Sequence, residues 1–284
     1  MGVTSPSAGN KKENTMKELS LDEIKKVELG ILTEFDRFCT TNGLRYSLAE
    51  GTLIGAVRHK GFIPWDDDID VLMLREDFDI FRKTYQSERY SIIQAPKDKY
   101  WPYAHIRLSD NETVVEYNEF NNTNTYYKGG IWMDILPMDN FPDDDSELKK
   151  REKKILFLFR LYRAYRRNGF LRISGVINNI SWLIAKIITL FISPGRLMKR
   201  IESLMCAYNQ EKTERKGTWT CYWHSPWKYP SRCFDSFDSI SCEGKTFMVI
   251  KDYDEYLKCQ YGEYMKLPPI EKRVATHAYK AYYL

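Results

Sequence analysis

Positions 66–74 read Asp-Asp-Asp-Ile-Asp-Val-Leu-Met-Leu, four acids running straight into an apolar stretch of strand character. Few folds accept that junction. Carboxylates two apart on a strand project to the same side, because side-chain direction alternates with period two. Asp68 and Asp70 are therefore expected to converge while Ile69 turns into a core. Like charges held that close need a cation, a shared proton or free water. A hard divalent ion such as Mg2+ suits oxygen ligands and leaves room for phosphate oxygens. The competing reading is an acidic turn in solvent, although the apolar strand that follows would anchor the acids at a sheet edge. A calcium loop is disfavoured by spacing, since the sixth-position Gly and twelfth-position Glu are both missing.

A third acid strengthens the metal reading. Asp134 lies between Met133 and Ile135 in a separate apolar run after Gly129-Gly130, and is expected to join the pair from a neighbouring strand. Ahead of the acids, Gly51-Thr52 with Gly55 predicts a tight turn whose amides hold a phosphate at a helix start. A Gly-Thr turn, two strand acids about fifteen residues on and a third acid on another strand make the layout of a nucleotidyltransferase palm.

The rest of the chain supplies the frame. Ser20 and Glu23 form a capping-box pattern ahead of Leu21, Ile24, Val27, Ile31, Phe35 and Phe38 at helical spacing, with Gly43 as the stop. Strand-like runs are expected at 44–49, 90–94, 105–109, 113–117 and 131–135, with a short helix through Ile54, Ala56 and Val57 that closes at Gly61 and another at 76–85. Strands mixed with helices, without regular alternation, predict an α+β or mixed-sheet α/β core with flanking helices. From 149 to 172 there are ten basic residues and one acid, a local charge of +9 in a chain of net charge +4, interleaved with bulky aliphatics and tyrosines. Residues 173–195 then carry one charge, Lys186, among Ile, Leu, Val, Phe and Trp182. This basic and apolar helical segment is read as an insertion in the core. It can span a membrane, bury as a helix pair, or lie in an anionic headgroup layer; the polar interruptions disfavour spanning. Nucleic acid is disfavoured, since no recognition motif accompanies the charge.

The expected organisation is a polar tail or non-native leader at 1–16, a catalytic core at 17–142, the basic-apolar segment at 143–215, and a C-terminal part at 216–284 that completes the catalytic unit. At 284 residues with 43% hydrophobic content, the chain can bury a full core without disulfide or metal staples. The first 15 residues form no signal peptide, and Pro6 breaks the myristoylation pattern. A reducing cytoplasm is the expected compartment, with the six cysteines as thiols. A zinc cluster of Cys221, His224, Cys233 and Cys242 matches no standard spacing.

The run 50–70, EGTLIGAVRHKGFIPWDDDID, resembles the signature of the LicD family of phosphotransferases. Supporting segments are GIWMDILPMD at 130–139, YGEYM at 261–265 and LPP at 267–269, with Arg273 and His277. Glu243-Gly244 is similar to a late family motif, although Cys242 stands where an aromatic residue is usual. The resemblance covers roughly 17–142 and 243–277. It implies an α+β fold with a nucleotidyltransferase-like mixed sheet and flanking helices, and Mg2+-dependent transfer of a phospho-alcohol from a CDP-activated donor. In characterised bacterial members phosphocholine moves from CDP-choline to a glycan precursor of teichoic acid or lipopolysaccharide; fukutin-type relatives use CDP-ribitol.

On this reading Asp68, Asp70 and Asp134 hold the metal and carry catalysis. Gly51, Thr52, Gly55, Arg58, His59, Lys60, Trp65 and Arg107 are expected at the donor, and Asp139, Arg273 and His277 are candidate substrate contacts. Each has a plainer alternative. Trp65 can stack on a base, hold choline by cation–π attraction, or pack in the core. Arg58, His59 and Lys60 can favour the helix dipole. His105 and Arg107 can form surface ion pairs. Asp134 is the expected base that deprotonates the acceptor hydroxyl, with a pure ligand role as the alternative and Asp139 as runner-up, turned away if Pro137 ends its strand. The expected setting is the inner face of the membrane. Transfer of the nucleotide itself, or an assembly protein with a vestigial site, are the rival functions.

Overall fold

The computed structural model describes residues 17–98, 101, 103–116, 129–166, 176–219, 226–275, 277 and 279–284. In chain order the elements are α1 (Leu21–Asn42), β1 (Ser47–Leu48), α2 (Glu50–His59), β2 (Asp70–Leu74), α3 (Arg75–Thr84), β3 (Tyr90–Ile93), β4 (Ile106–Asp110), β5 (Thr113–Glu116) and β6 (Trp132–Phe141). Then come α4 (Asp145–Arg166), α5 (Val176–Thr189), α6 (Pro194–Met205), β7 (Arg215–Gly217), β8 (Tyr229–Pro230), β9 (Phe237–Cys242), β10 (Lys245–Ile250), α7 (Tyr253–Tyr261) and β11 (Lys280–Tyr283).

The fold is α+β around a mixed sheet of order β1-β2-β6-β4-β3, which β7 and β8 extend from β6. Among the described strands of this sheet, β2 and β6 run parallel and the other pairs are antiparallel. Two further pairs, β9–β10 and β5–β11, stand beside it. The main core joins α1, α2 and α3 to this sheet and to β10 and α7, and a second cluster gathers α4, α6 and Phe141.

The first helix follows its local signals. Ser20 Oγ accepts from the Glu23 amide at 3.3 Å, the Glu23 carboxylate accepts from the Ser20 amide at 2.8 Å, and Gly43 closes the helix at φ 66°. Its buried face includes one acid, Glu28, at the core-facing spacing between Ile24 and Ile31.

Two local expectations are corrected. Gly51-Thr52 is no free turn: α2 starts at Glu50, so Gly51, Thr52 and Gly55 are all helical. The helix closes at Lys60, whose φ is 60°. Nor does Pro137 end its strand, since β6 runs on to Phe141. The Asp134 amide donates to Ile69 on the β2 side, so by alternation the Pro137 nitrogen points the opposite way. There β4 pairs only as far as Ile135 and β7 begins only at Asp139, and a proline costs no ladder bond in that gap.

Among the described cysteines, Cys39, Cys233 and Cys242 are buried, Cys206 is half-buried and Cys259 is exposed, all as free thiols. Cys221 and His224 lie outside the described residues.

Candidate active site

Strand register builds the first row of the site. Asp70 on β2 is the neighbour of Asp134 on β6, and Asp134 in turn faces Arg107 on β4. Register partners share a face, so the sheet itself brings the three together. Arg107 donates from Nε to Asp134 Oδ1 at 2.8 Å and from Nη2 to Oδ2 at 3.3 Å. Its guanidinium lies 4.4 Å from the Trp101 ring centroid and 4.1 Å from that of Trp132. Arg107 is only 3% exposed, so it stands behind the acids as their counterion and not at an open donor face.

That ion pair changes the expected role of Asp134. Burial alone would raise its pKa, but the Arg107 guanidinium outweighs burial and holds it below the usual carboxylate range. His105 Nε2 lies 3.6 Å from Asp134 Oδ1, and burial keeps its imidazole neutral, with a pKa of about 4. A carboxylate bonded through both oxygens and held this acidic makes a poor proton acceptor. The geometry suits Asp134 to ordering charge in the row.

The acids before β2 form a second group. Because β2 begins only at Asp70, Asp66, Asp67 and Asp68 escape strict period-two alternation, and Asp67 enters the site beside Asp68. Asp67 accepts from the backbone amide of His277 at 3.1 Å, and its Oδ1 lies 3.3 Å from His277 Nδ1; Asp68 Oδ2 is 3.6 Å from the same nitrogen. Ligand atoms of Asp67, Asp68 and His277 lie within 4.8 Å of one another, a grouping able to hold a metal. His277, expected as a substrate contact, is thus a neighbour of the acids. Asp70 and Asp134 do not belong to this group of three.

Charge compensation separates the acids. Asp134 has Arg107 and Asp67 has His277. Asp68 is pushed up to about 7 by burial and by Asp66, Asp134 and Asp67, against the opposing pull of His277. Asp70 is raised well above the carboxylate range by burial, then Asp68, Asp134 and Glu50. Behind them Glu28 is fully buried and raised by burial, then Asp68 and Asp67; Tyr279 donates to its Oε1 at 3.4 Å while Oε2 has no partner among the described residues. The pocket gathers more carboxyl groups than its own cations can neutralise, so their ionised forms are favoured together only with a bound cation such as a divalent ion.

A pH prediction follows from Asp68. Its pKa is higher folded than unfolded, so its contribution to stability is present in acid and lost as pH rises from the ordinary value near 3.8 through about 7. His277, also raised in the fold, acts in the same direction. Differential scanning calorimetry in EDTA should show a lower Tm at pH 8 than at pH 6, and Mg2+ should restore more at pH 8.

The helix α2 meets these acids with its N-terminus. Ala49 supplies no side-chain cap, and the first helical bond is made by the Leu53 amide, leaving the Gly51 and Thr52 amides in the uncapped turn. Thr52 Oγ1 accepts from the Asp70 amide at 2.9 Å, tying the turn to β2. Gly51 and Thr52 therefore sit where an anion is favoured. Gly55 does something else: a Cβ there would stand 2.5 Å from the Gly61 carbonyl oxygen and 3.0 Å from the Ile63 nitrogen. It lets the segment leading to the acids lie against α2. Gly55→Ala should displace that segment, costing about 1–3 kcal/mol of stability and most of the turnover, as read by thermal melts and initial rates.

The remaining candidates gather at the other end of α2. Arg58 lies seven residues beyond Gly51, about 10 Å along the helix. Its Nη1 donates to the Tyr264 carbonyl at 2.8 Å and its Nε to His59 Nε2 at 3.0 Å. Arg273 lies over Trp65 at 5.4 Å and donates to the Pro268 carbonyl at 2.9 Å. Lys60 is exposed and forms the left-handed cap. Arg58, His59, Trp65 and Arg273 thus fasten the segment after α7, and they do not converge with Gly51-Thr52 on one phosphate. The late Glu243-Gly244 pair also fastens the chain here. The Glu243 carboxylate accepts from the Phe62 amide at 2.9 Å, and the Glu243 amide donates to the Lys60 carbonyl at 3.0 Å.

Asp139, expected as a substrate contact, faces away from the row of acids. Five positions from Asp134, it falls on the opposite strand face. There Arg75 grips it at 2.8 and 2.6 Å and Asn209 donates to it at 2.7 Å, with its side chain fully buried. It joins β6 to α3 and to the residues after α6, and offers nothing to a substrate.

Sequence reading does not single out Glu50 or Glu28. Glu50 has φ 46° and accepts from Gln260 and Tyr261 of α7. A signal for Glu28 exists, as an acid on the apolar stripe of α1. None exists for Glu50 beyond its place at the head of the 50–70 run.

A family model described as LicD/FKTN/FKRP, nucleotidyltransferase domain, matches residues 43–154. The chain is 30% identical over 278 residues to the lipopolysaccharide cholinephosphotransferase LicD of Haemophilus influenzae, covering 95% of this chain and 100% of that protein. An uncharacterized protein of Rickettsia prowazekii is 35% identical over 68 residues, 21% of this chain and 26% of that one. Similarity of that extent to a cholinephosphotransferase places the chain among the transferases. More narrowly, it belongs to the LicD family of phosphotransferases.

Proposed function

We propose that this chain transfers phosphocholine, or a closely related phospho-alcohol, from a CDP-activated donor to a hydroxyl of a cell-surface glycan precursor. The observation that carries this reading is the pair Asp68 and Asp70, inadequately compensated by the chain's own cations, beside the uncapped start of α2 in a LicD-family chain. The relative of matching length is named for choline phosphate and lipopolysaccharide, which supports the alcohol and the glycan class.

Asp68 and Asp70 would hold Mg2+, with Asp67 able to join them. Bound there, the ion would neutralise phosphate charge and stabilise the departing CMP. The amides of Gly51 and Thr52 receive a phosphate oxygen at the helix start. Thr52 fixes this turn relative to Asp70, and Arg107 holds Asp134 ionised and in place behind the row. The C-terminal segment pinned by Arg58 and Arg273 borders the donor side. On this reading the protein works in the cytoplasm, peripheral to the inner membrane face.

Titration calorimetry with CDP-choline tests this reading. Donor binding should require Mg2+ and vanish with EDTA, and CDP-choline should bind more tightly than CMP. Equal affinity for CDP-choline and CDP-ribitol would leave the CDP-alcohol class standing and remove choline as the selected group. Tight binding of nucleoside triphosphates in place of CDP-alcohols would favour nucleotidyl transfer.

A further inference from the structure

The helix α5 presents an apolar face that no described residue covers. Ile180, Leu183, Ile184 and Ile187 follow one another at three- and four-residue spacing and are 45–53% exposed; Leu190 and Phe191 continue the row at 77% and 79%. The first four share one side of α5, and Leu190 and Phe191 extend the row in the turn beyond its end at Thr189. The one charged residue of α5 is absent from that side: Lys186 turns inward and donates to the Ala164 carbonyl of α4 at 2.9 Å. Ala185, Ile188 and Ile192 pack into the second core cluster. Among the described residues the outer face is therefore wholly apolar.

Around it the charge is of one sign. The exposed stripe of α4 carries Lys150, Lys153, Lys154 and Arg160, with Phe157 exposed in its middle. Beyond Phe191, α6 exposes Arg196, Lys199 and Arg200. A second copy docking on this face through a two-fold axis would bring the same basic residues toward one another, which is unfavourable. The polar stretch at residues 1–15 lacks the apolar side chains to cover it. An anionic bilayer satisfies both features, taking apolar side chains below the headgroups while lysines and arginines meet lipid phosphates.

We infer that the outer face of α5 and the turn that follows it, from Ile180 to Phe191, insert into the surface of an anionic membrane, with the exposed basic residues of α4 and α6 as their electrostatic flank. This refines the peripheral contact proposed above and stands apart from the catalytic pocket, so it survives if the donor proves different. Arg163 is half-buried, the Arg166 side chain and all of Arg167 lie outside the described residues, and the apolar row does the inserting. No helix among the described residues is long and apolar enough to cross a membrane, consistent with a helix that lies in the interface.

Flotation with vesicles of phosphatidylglycerol and phosphatidylcholine, against phosphatidylcholine alone, tests this on the full chain without donor or metal. The protein should float with the anionic vesicles and bind progressively less as salt rises. Ile184→Glu with Ile187→Glu should weaken binding at least tenfold, and Lys153→Gln with Lys154→Gln by roughly thirtyfold at low salt, from the usual worth of a basic residue at such a surface. All four positions are exposed, so thermal melts of both variants should match the parent. Flotation absent with both vesicle types, or unchanged in the Ile variant, would overturn the inference. Sedimentation showing a dimer that the Ile variant dissociates, without vesicle binding, would assign the face to a second copy instead.

Discussion

Asp68→Asn is expected to lower turnover about a thousandfold and, in the same protein, to raise the Tm of the metal-free form at pH 8. The two effects share a cause. Asp68 is pushed up to about 7 by burial and neighbouring acids, so its ionised form is disfavoured in the fold unless a cation is bound. The amide removes one negative charge from a pocket that also contains Asp66, Asp67, Asp70 and Glu28, so repulsion falls. It also removes a metal ligand. Loss of several kcal/mol of charge stabilisation at the transition state, at about 1.4 kcal/mol per tenfold in rate, gives the rate effect. Initial rates and calorimetric melts on the same preparation check both. A variant that loses activity because it unfolds would melt lower, opposite in sign to this expectation.

The second large effect concerns Arg107. Arg107→Met should destabilise the protein by about 3–5 kcal/mol, because it leaves Asp134 buried without its counterion. For a chain of this size that is a fall in Tm on the order of 10 °C. The guanidinium also loses its seat between Trp101 and Trp132. Adding Asp134→Leu should recover a large part of that stability, since removing both partners of a buried pair costs far less than removing one. Activity should not return in the double variant, because the row beside Asp70 then lacks its ordered charge. Denaturant unfolding of the two single variants and the double variant decides the coupling. Additive losses would mean that Arg107 stabilises through packing alone and that Asp134 does not depend on it.

These expectations rest partly on features that the sequence displays and partly on ones that only the folded chain displays. The capping box at Ser20 and Glu23 and the left-handed Gly43 are local chemistry, legible because the residues that meet are three or four apart. The convergence of Asp70 and Asp134 is legible from two apolar runs each carrying an acid, and parallel pairing of β2 with β6 supplies it. What local pattern cannot carry is the partner across the sheet. Arg107 reads as a donor contact until β4 is seen to face β6, whereupon it becomes the counterion of Asp134. Asp139 reads as an acid near a site until strand parity turns it to Arg75. The glycines of 51–55 suggest a phosphate turn, yet the chain is already helical there, and Gly55 serves a loop contact that arises only when residues 61–63 fold back onto α2. Asp67 escapes any reading that extends alternation upstream of the residue at which β2 begins.

The metal-dependent fate of the donor phosphates tests the central claim most directly. The purified chain would be incubated with CDP-choline, Mg2+ and a glycan acceptor preparation, in parallel with EDTA, and the products followed by phosphorus NMR and mass spectrometry. The account predicts one CMP released per phosphocholine joined to the glycan through a phosphodiester, with neither product formed in EDTA or by Asp68→Asn. Appearance of a nucleotide on the acceptor with release of phosphocholine, or transfer that continues unchanged in EDTA, would contradict it.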